Sequence, residues 1–155
     1  MRFKQTTTLD DVDLRTVFRL WNAEYPAVLG HGSEAAFRAY LEQLENADHH
    51  LVTHGGAVCG WAVAFDREEE RWFILIVDGA FHGCGLGSRL LDRLKTRNLV
   101  LNGWVVEQDS YLKSNGQRYH SPQPFYEKQG FATTEERRTD RPVAVRRILF
   151  SGERG

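Results

Sequence analysis

The sequence predicts one α+β domain, and three features predict it. Apolar residues recur at helical spacing up to about residue 44 and alternate from residue 49 onward. An unbroken apolar run at 72–77 then passes through three closely spaced glycines into another amphipathic stretch. At 155 residues the chain fits a single domain, 1–155, and its 41% hydrophobic and 26% charged residues suit an ordinary globular protein. A formal net charge of −1 gives no reason to expect nucleic acid or an anionic membrane as a partner.

Leu14, Val17, Phe18 and Trp21 fall on one helical face behind Asp10 or Asp11 as cap, and Pro26 stops the helix, so 11–23 is the first helix. Ser33 caps a second one carrying Phe37, Tyr40, Leu41 and Leu44, which leaves EYPAVLGHG as the connection. Beyond residue 49 the period is two. LVT, a His54-Gly55-Gly56 turn, and Cys59, Trp61, Val63 and Phe65 alternating with Gly60, Ala62 and Ala64 make a hairpin. DREEER is a polar turn, and WFILIV (72–77) reads as a central strand covered on both faces.

Leu86, Leu90, Leu91 and Leu94 form the stripe of a helix beginning near Gly87, and LVLNGWVVE (99–107) is the next strand. Residues 108–120 are polar with an Asn115-Gly116 turn. Ser121-Pro122 supplies a cap and first-turn proline for a short helix ending at Gly130. Residues 131–138 and 143–150 close the chain as a hairpin through TDRP.

Two cysteines, Cys59 and Cys84, give neither a disulfide framework nor metal-ligand spacing, so no metal is expected and a reducing cytoplasm is the simplest location. MRFKQTTTLDD has no apolar signal core, and no run reaches the ~20 apolar residues that span a bilayer. His49, His50 and His54 lack a partner motif and read as solvated turn residues. The four tryptophans, Trp21, Trp61, Trp72 and Trp104, read as core, with Trp104 alone a candidate to line a groove.

FHGCGLGS (81–88) joins strand to helix through Gly83, Gly85 and Gly87. The first amides of a helix have no intrahelical partners and carry the positive end of its dipole, and glycine lets a phosphate come close. The competing reading is a tight turn that binds nothing. A P-loop would need Lys and Ser/Thr where Ser88-Arg89 stands, and the dinucleotide fingerprint would need glycine in place of Ser88.

VDGAFHGCGLGSRLL (77–91) resembles the coenzyme A signature of the GNAT superfamily of N-acetyltransferases, and PFYEKQGF (124–131) is similar to that family's second element, in the same order. The resemblance implies an α+β GNAT fold, a mixed and mostly antiparallel sheet of six or seven strands with about four helices, in the order β-α-α-β-β-β-α-β-α-β-β. It implies acetyl-CoA as cosubstrate, its pyrophosphate on the amides of Gly83, Cys84, Gly85, Leu86, Gly87 and Ser88, with His82 where the family has Arg or Gln. The pantetheine arm would lie along Leu75, Ile76 and Val77.

By the same resemblance Tyr126 is the acid that protonates the thiolate. Glu107 is the first candidate for general base, ahead of Asp78, Asp109 and Glu24. The acceptor would be a primary amine of a small molecule or protein, made welcome as a cation by these acidic residues, and a homodimer stays open. A noncatalytic acyl-CoA-binding module of the same fold is the rival reading.

Overall fold

The computed structural model describes residues 1–152. The chain runs β1 (Arg2–Thr6), α1 (Asp11–Glu24), α2 (Glu34–Glu42), β2 (Glu45–His54), β3 (Ala57–Arg67) and β4 (Glu70–Val77). It continues with α3 (Leu86–Arg97), β5 (Val100–Val106), α4 (Gln123–Lys128), β6 (Ala132–Arg138) and β7 (Val145–Ser151). The strands form one sheet in the order β1-β2-β3-β4-β5-β7-β6. All neighbours are antiparallel except β4 and β5, which are parallel. The seven strands and four helices follow the expected element order.

Local chemistry sets the boundaries. Asp10 accepts the Asp13 N–H at 2.8 Å and Ser33 accepts the Ala36 N–H at 3.1 Å, so both first helices begin at side-chain caps. The β2–β3 turn uses Gly55 and Gly56 at φ 60° and 84°, the left-handed pair a two-residue hairpin needs. Glu68 and Glu69 adopt the same hand at φ 52° and 65°, so the turn shrinks to these two residues and β3 and β4 run into DREEER from both sides. The last helix departs from expectation by one step: Pro122 is its N-cap and Pro124 lies in its first turn, while the Ser121 hydroxyl accepts only a long 3.4 Å bond from Gln123 N–H.

Two cores sandwich the sheet. On one face α1 and α2 bury Val17, Trp21 and Phe37 against Trp61, Val63 and Phe65; on the other, α3 and α4 bury Leu90, Leu91 and Leu94 against Ala62, Ala64 and Leu101. The small residues of β3 are the ones under α3. Gly60 belongs to this row, since a Cβ there would lie 2.8 Å from Val52 and 3.0 Å from Leu90. Cys59 joins this second core and not the Trp61 face, because the β2–β3 register shifts between Val52 and Thr53.

His49 and His50 are not solvated turn residues. Both sit on β2, 3% and 2% exposed. The Trp61 indole N–H donates to His49 Nδ1 at 3.0 Å, and His50 Nε2 lies 3.0 Å from Asp48, which also takes bonds from Arg97 and Gln5. Their polar neighbours are invisible to periodicity, which reads only their position after a helix and before an apolar run.

The sheet is split between β4 and β5. β4 is zipped to β3 from Glu70 to Val77 and β5 to β7 from Val100 to Val106, but β4 and β5 share the single register pair Trp72↔Asn102. Buried Asn102 pins that end, donating to the Arg71 carbonyl at 3.0 Å while accepting from Arg147 Nε at 3.0 Å. Past Trp72 the strands part. WFILIV is therefore a central strand covered on both faces only in its first half, and Ile74, Leu75 and Val77 are half-buried.

Candidate active site

The parted strands open a cavity of about 680 Å³ that joins the two faces of the sheet. At one end lie Phe81, His82, Gly83 and residues 85–88; along the middle lie residues 72–77 of β4 and 104–106 of β5; at the far end lie Trp21, Tyr40, Phe65 and Arg67. A volume of this size suits a ligand larger than a metabolite fragment.

β4 offers this cavity unpaired backbone. The Asp78 N–H donates to the Cys59 carbonyl at 2.9 Å, so strand alternation turns the polar groups of Ile76 toward β3 and those of Leu75 and Val77 toward the gap. Leu75 and Val77 therefore hold the free edge, and Ile76 does not: its backbone belongs to the ladder with Trp61. The Val77 carbonyl is in turn taken by His82, whose Nε2–H donates to it at 2.9 Å. His82 thus clips the loop to the strand end while lining the cavity.

The glycine loop leads into α3 with Gly83 and Gly85 at φ 83° and 79°, values that side chains rarely adopt. The first α3 bond runs from Arg89 N–H to the Gly85 carbonyl at 3.1 Å, so the amides of Leu86, Gly87 and Ser88 precede the ladder. Cys84 differs: its N–H is consumed by the Phe81 carbonyl at 3.3 Å, its thiol is exposed, and it does not line the cavity. Gly87 is needed for packing, because a Cβ there would lie 3.1 Å from the Phe125 ring. Ser88 Oγ accepts from Gln129 Nε2 at 2.9 Å and ties α3 to the end of α4.

Tyr126 stands on the cavity wall, 6% exposed, with its ring edge-on to Phe73 at 5.5 Å and to Phe131 at 5.4 Å. Burial, with Tyr119 nearby, pushes its phenol well above the usual tyrosine range. The near match between phenol and thiol acidity expected of an exposed tyrosine is therefore absent in the free protein; the phenol remains a hydrogen-bond donor at every ordinary pH. Tyr25 and Tyr119 share this wall and are displaced upward by burial as well. None of the spacing rules flags them, since each comes from a different loop or helix end.

Glu107 is in the wrong surroundings for a base. Both its oxygens are engaged by Arg137 at 2.7 Å, Arg146 lies at 3.1 Å, and these bonds hold its carboxyl below the usual range. It is also missing from the cavity lining. Of the weaker alternatives, Asp78 accepts the Ala80 N–H at 2.9 Å within its own turn, and Asp109 accepts the Ser121 N–H at 2.6 Å, tying the loop after β5 to the entry of α4. Glu24 does line the cavity, accepting the Gly79 N–H at 2.9 Å with Lys113 at 3.4 Å. Among the described residues it is the one carboxylate there.

Among the described residues no cluster of His, Cys, Asp and Glu could hold a metal ion, and no helix is long and apolar enough to cross a membrane.

The sheet is thus split where a glycine-led helix begins, and the mouth of the split is the candidate site. The acetyltransferase (GNAT) domain model matches residues 45–133, and the chain belongs to that family. An aminoglycoside 6'-N-acetyltransferase complexed with coenzyme A superposes with a TM-score of 0.76 at 14% identity, over 100% of this chain and 99% of that one. The ribosomal-protein-S18-alanine N-acetyltransferase from Escherichia coli gives 0.66 at 18%, over 99% and 97%. The Salmonella typhimurium protein yncA with its cofactor acetyl-CoA gives 0.66 at 17%, over 100% and 96%. No curated protein matches the sequence significantly.

Proposed function

We propose that this protein transfers acetyl from acetyl-CoA directly to a primary amine. The observation that carries the reading is the continuity of one cavity past the α3 amides, the free edge of β4 and the Tyr126 phenol. The unpaired N–H groups of Leu75 and Val77 and the glycine-exposed amides fit an amide-bearing arm that ends in a pyrophosphate. Bound there, acetyl-CoA would supply an activated thioester carbonyl.

The chain's own residues have three tasks. An N–H on the free edge of β4 polarises the carbonyl oxygen. The neutral amine forms the new C–N bond as the C–S bond breaks, and the Tyr126 phenol donates its hydrogen bond, then its proton, to the departing sulfur. The proton lost by nitrogen passes to Glu24, in place of Glu107, and on through solvent to restore the phenol. The apolar lining lowers the local dielectric around the bound thioester, which strengthens each of these contacts.

Calorimetric titration with acetyl-CoA, CoA and ATP tests the binding half; micromolar acetyl-CoA with silent ATP is expected, and silence toward acetyl-CoA would end the proposal. CoA release in the presence of amines tests the other half. Tight binding with no release for any amine would favour a noncatalytic acyl-CoA module.

A further inference from the structure

Resting on the acetyl-transfer reading, the charges around the far half of the cavity point to the kind of amine it accepts. Four side chains with a fixed formal charge line it: Glu24, Arg67, Lys113 and Arg118. Lys113 and Glu24 are paired with each other at 3.4 Å. Among the described residues neither Arg67 nor Arg118 lies within ion-pair distance of a carboxylate, so two guanidinium groups of the lining, exposed Arg67 among them, are open to an anionic partner. The acidic residues expected to attract a cationic acceptor are elsewhere engaged, Glu107 with Arg137 and Arg146, Asp78 with the Ala80 N–H and Asp109 with the Ser121 N–H.

The wall beneath these cations is polarised in the same sense. Trp72 and Trp104 stack at 5.5 Å with 23° between planes, Arg147 lies 5.1 Å over Trp72 and Arg138 lies 4.7 Å over Trp104. With each indole held between its neighbour and a guanidinium, what both leave for a ligand is their ring edges rather than a free π face. An indole edge is the positive part of its quadrupole, so it packs against the face of another aromatic ring and repels a cation.

Position along the strands sets where the charge should be. Leu75 pairs with Ala62, and Arg67 stands five residues further along β3, about 16 Å away at strand rise. Leu75, Glu24 and Tyr126 mark the reacting end, and Arg67 marks the opposite end beside Phe65, over whose ring it lies at 4.9 Å. An arginine side chain reaching back into the cavity shortens that span to roughly an aryl ring with short linkers.

We propose that the acceptor is an aromatic primary amine bearing an anionic group remote from the amine, with the ring against Trp72 and Trp104 and the anion at Arg67. Polycations such as polyamines and aminoglycosides are disfavoured by the same surface. The reaction stays balanced as above: nitrogen gains the acetyl carbon and loses one proton, and sulfur leaves with one.

The experiment measures CoA release with 4-(2-aminoethyl)benzoate, phenethylamine, phenylalanine, spermidine and kanamycin, on the wild type and on Arg67→Gln. The benzoate should exceed phenethylamine in kcat/KM by about 10- to 100-fold, the worth of a charge-assisted bond, and Arg67→Gln should erase most of that preference. Phenylalanine, whose carboxylate adjoins the amine, should gain nothing over phenethylamine. Preference for spermidine or kanamycin, or a benzoate preference untouched by Arg67→Gln, would overturn the inference and leave acetyl transfer standing.

If no amine releases CoA, tryptophan fluorescence of the CoA-saturated protein reads binding of the same five compounds. Tighter binding of the benzoate that depends on Arg67 would uphold the acceptor chemistry while acetyl transfer fails. Equal or absent binding would overturn the inference too.

Discussion

The Trp61 indole N–H donates to His49 Nδ1 at 3.0 Å, in the buried core beneath α1 and α2. A nitrogen that accepts this bond carries no proton. Burial lowers the His49 pKa to about 4, a nearby Asp48 opposing and His50 adding to the effect. The folded pKa thus lies below the unfolded value near 6.5, so between these limits the unfolded chain binds the extra proton. The resulting stability is complete above about pH 6.5 and is lost progressively toward pH 4, by about 3 kcal/mol at most. Burial alone would raise Asp48, but bonds from Gln5, His50 and Arg97 outweigh it and hold the carboxyl below its usual range, so its own loss comes at lower pH. Urea melts at pH 7.5 and pH 4.5 should differ accordingly, and His49→Gln should flatten the difference. Equal wild-type stability at the two pH values would contradict a neutral His49.

Tyr126→Phe should lower kcat by about 100-fold, within the range for a lost general acid, and leave acetyl-CoA affinity unchanged. Because burial holds this phenol protonated, the alkaline limb of the pH–rate profile should belong to another group and persist in the variant. A limb that vanished with Tyr126 would mean the phenol titrates in the working range.

Glu24→Gln should reduce turnover and steepen its dependence on alkaline pH, since the amine must then deprotonate without help. Glu107→Gln should leave turnover and its pH profile as they were, because that carboxylate is engaged by Arg137 and Arg146 outside the cavity. Steady-state rates of the two variants side by side decide between them; the opposite ranking would restore Glu107 as base.

Gly85→Asp should abolish acetyl-CoA binding, by repelling phosphate and by forcing a side chain into φ 79°. Gly85→Ala separates the two causes: thermal melting should show a loss of about 1–2 kcal/mol with affinity only weakened. Full affinity in the Asp variant, by calorimetry, would place the pyrophosphate away from this loop.

Gly103→Ala tests the wall behind the site. A Cβ there would lie 2.7 Å from Phe73 Cε1, and Phe73 packs edge-on against Tyr126. Overpacking of this kind costs about 1–3 kcal/mol, and the displaced ring should reduce kcat more than it weakens acetyl-CoA binding. A variant with wild-type melting and kcat would show that the Phe73 ring has room to move.

The elements were legible because each is written locally. Asp10 and Ser33 cap their helices, Gly55-Gly56 turns its hairpin, and the leucine spacing of 86–94 marks α3. The glycine loop was equally legible, since a positive φ leaves a glycine in the sequence. The other half of the site was not. Tyr25 and Tyr119 converge only after β4 and β5 part, and the fate of Glu107 depends on Arg137 and Arg146, which arrive from two later strands. The histidines were misread for the same reason. The partners of His49 and His50 are Trp61, 12 residues on, and Asp48, and no periodicity distinguishes a buried imidazole with a partner from a solvated one.

The lone register pair of Trp72 with Asn102 also divides the molecule's cooperativity. Four strands before α3 and three after it are each internally bonded; across the seam the polar pins sit at Asn102 and Arg147, and the rest of the contact is apolar, the core under α3 and the Trp72–Trp104 stack. A ligand seated in the seam would be gripped from both sides and would act as a fastener. Hydrogen exchange should therefore slow in both half-sheets at once when acetyl-CoA is added, including amides of β7 that never touch it. The unliganded chain, by contrast, should open along this seam before either half-sheet gives way.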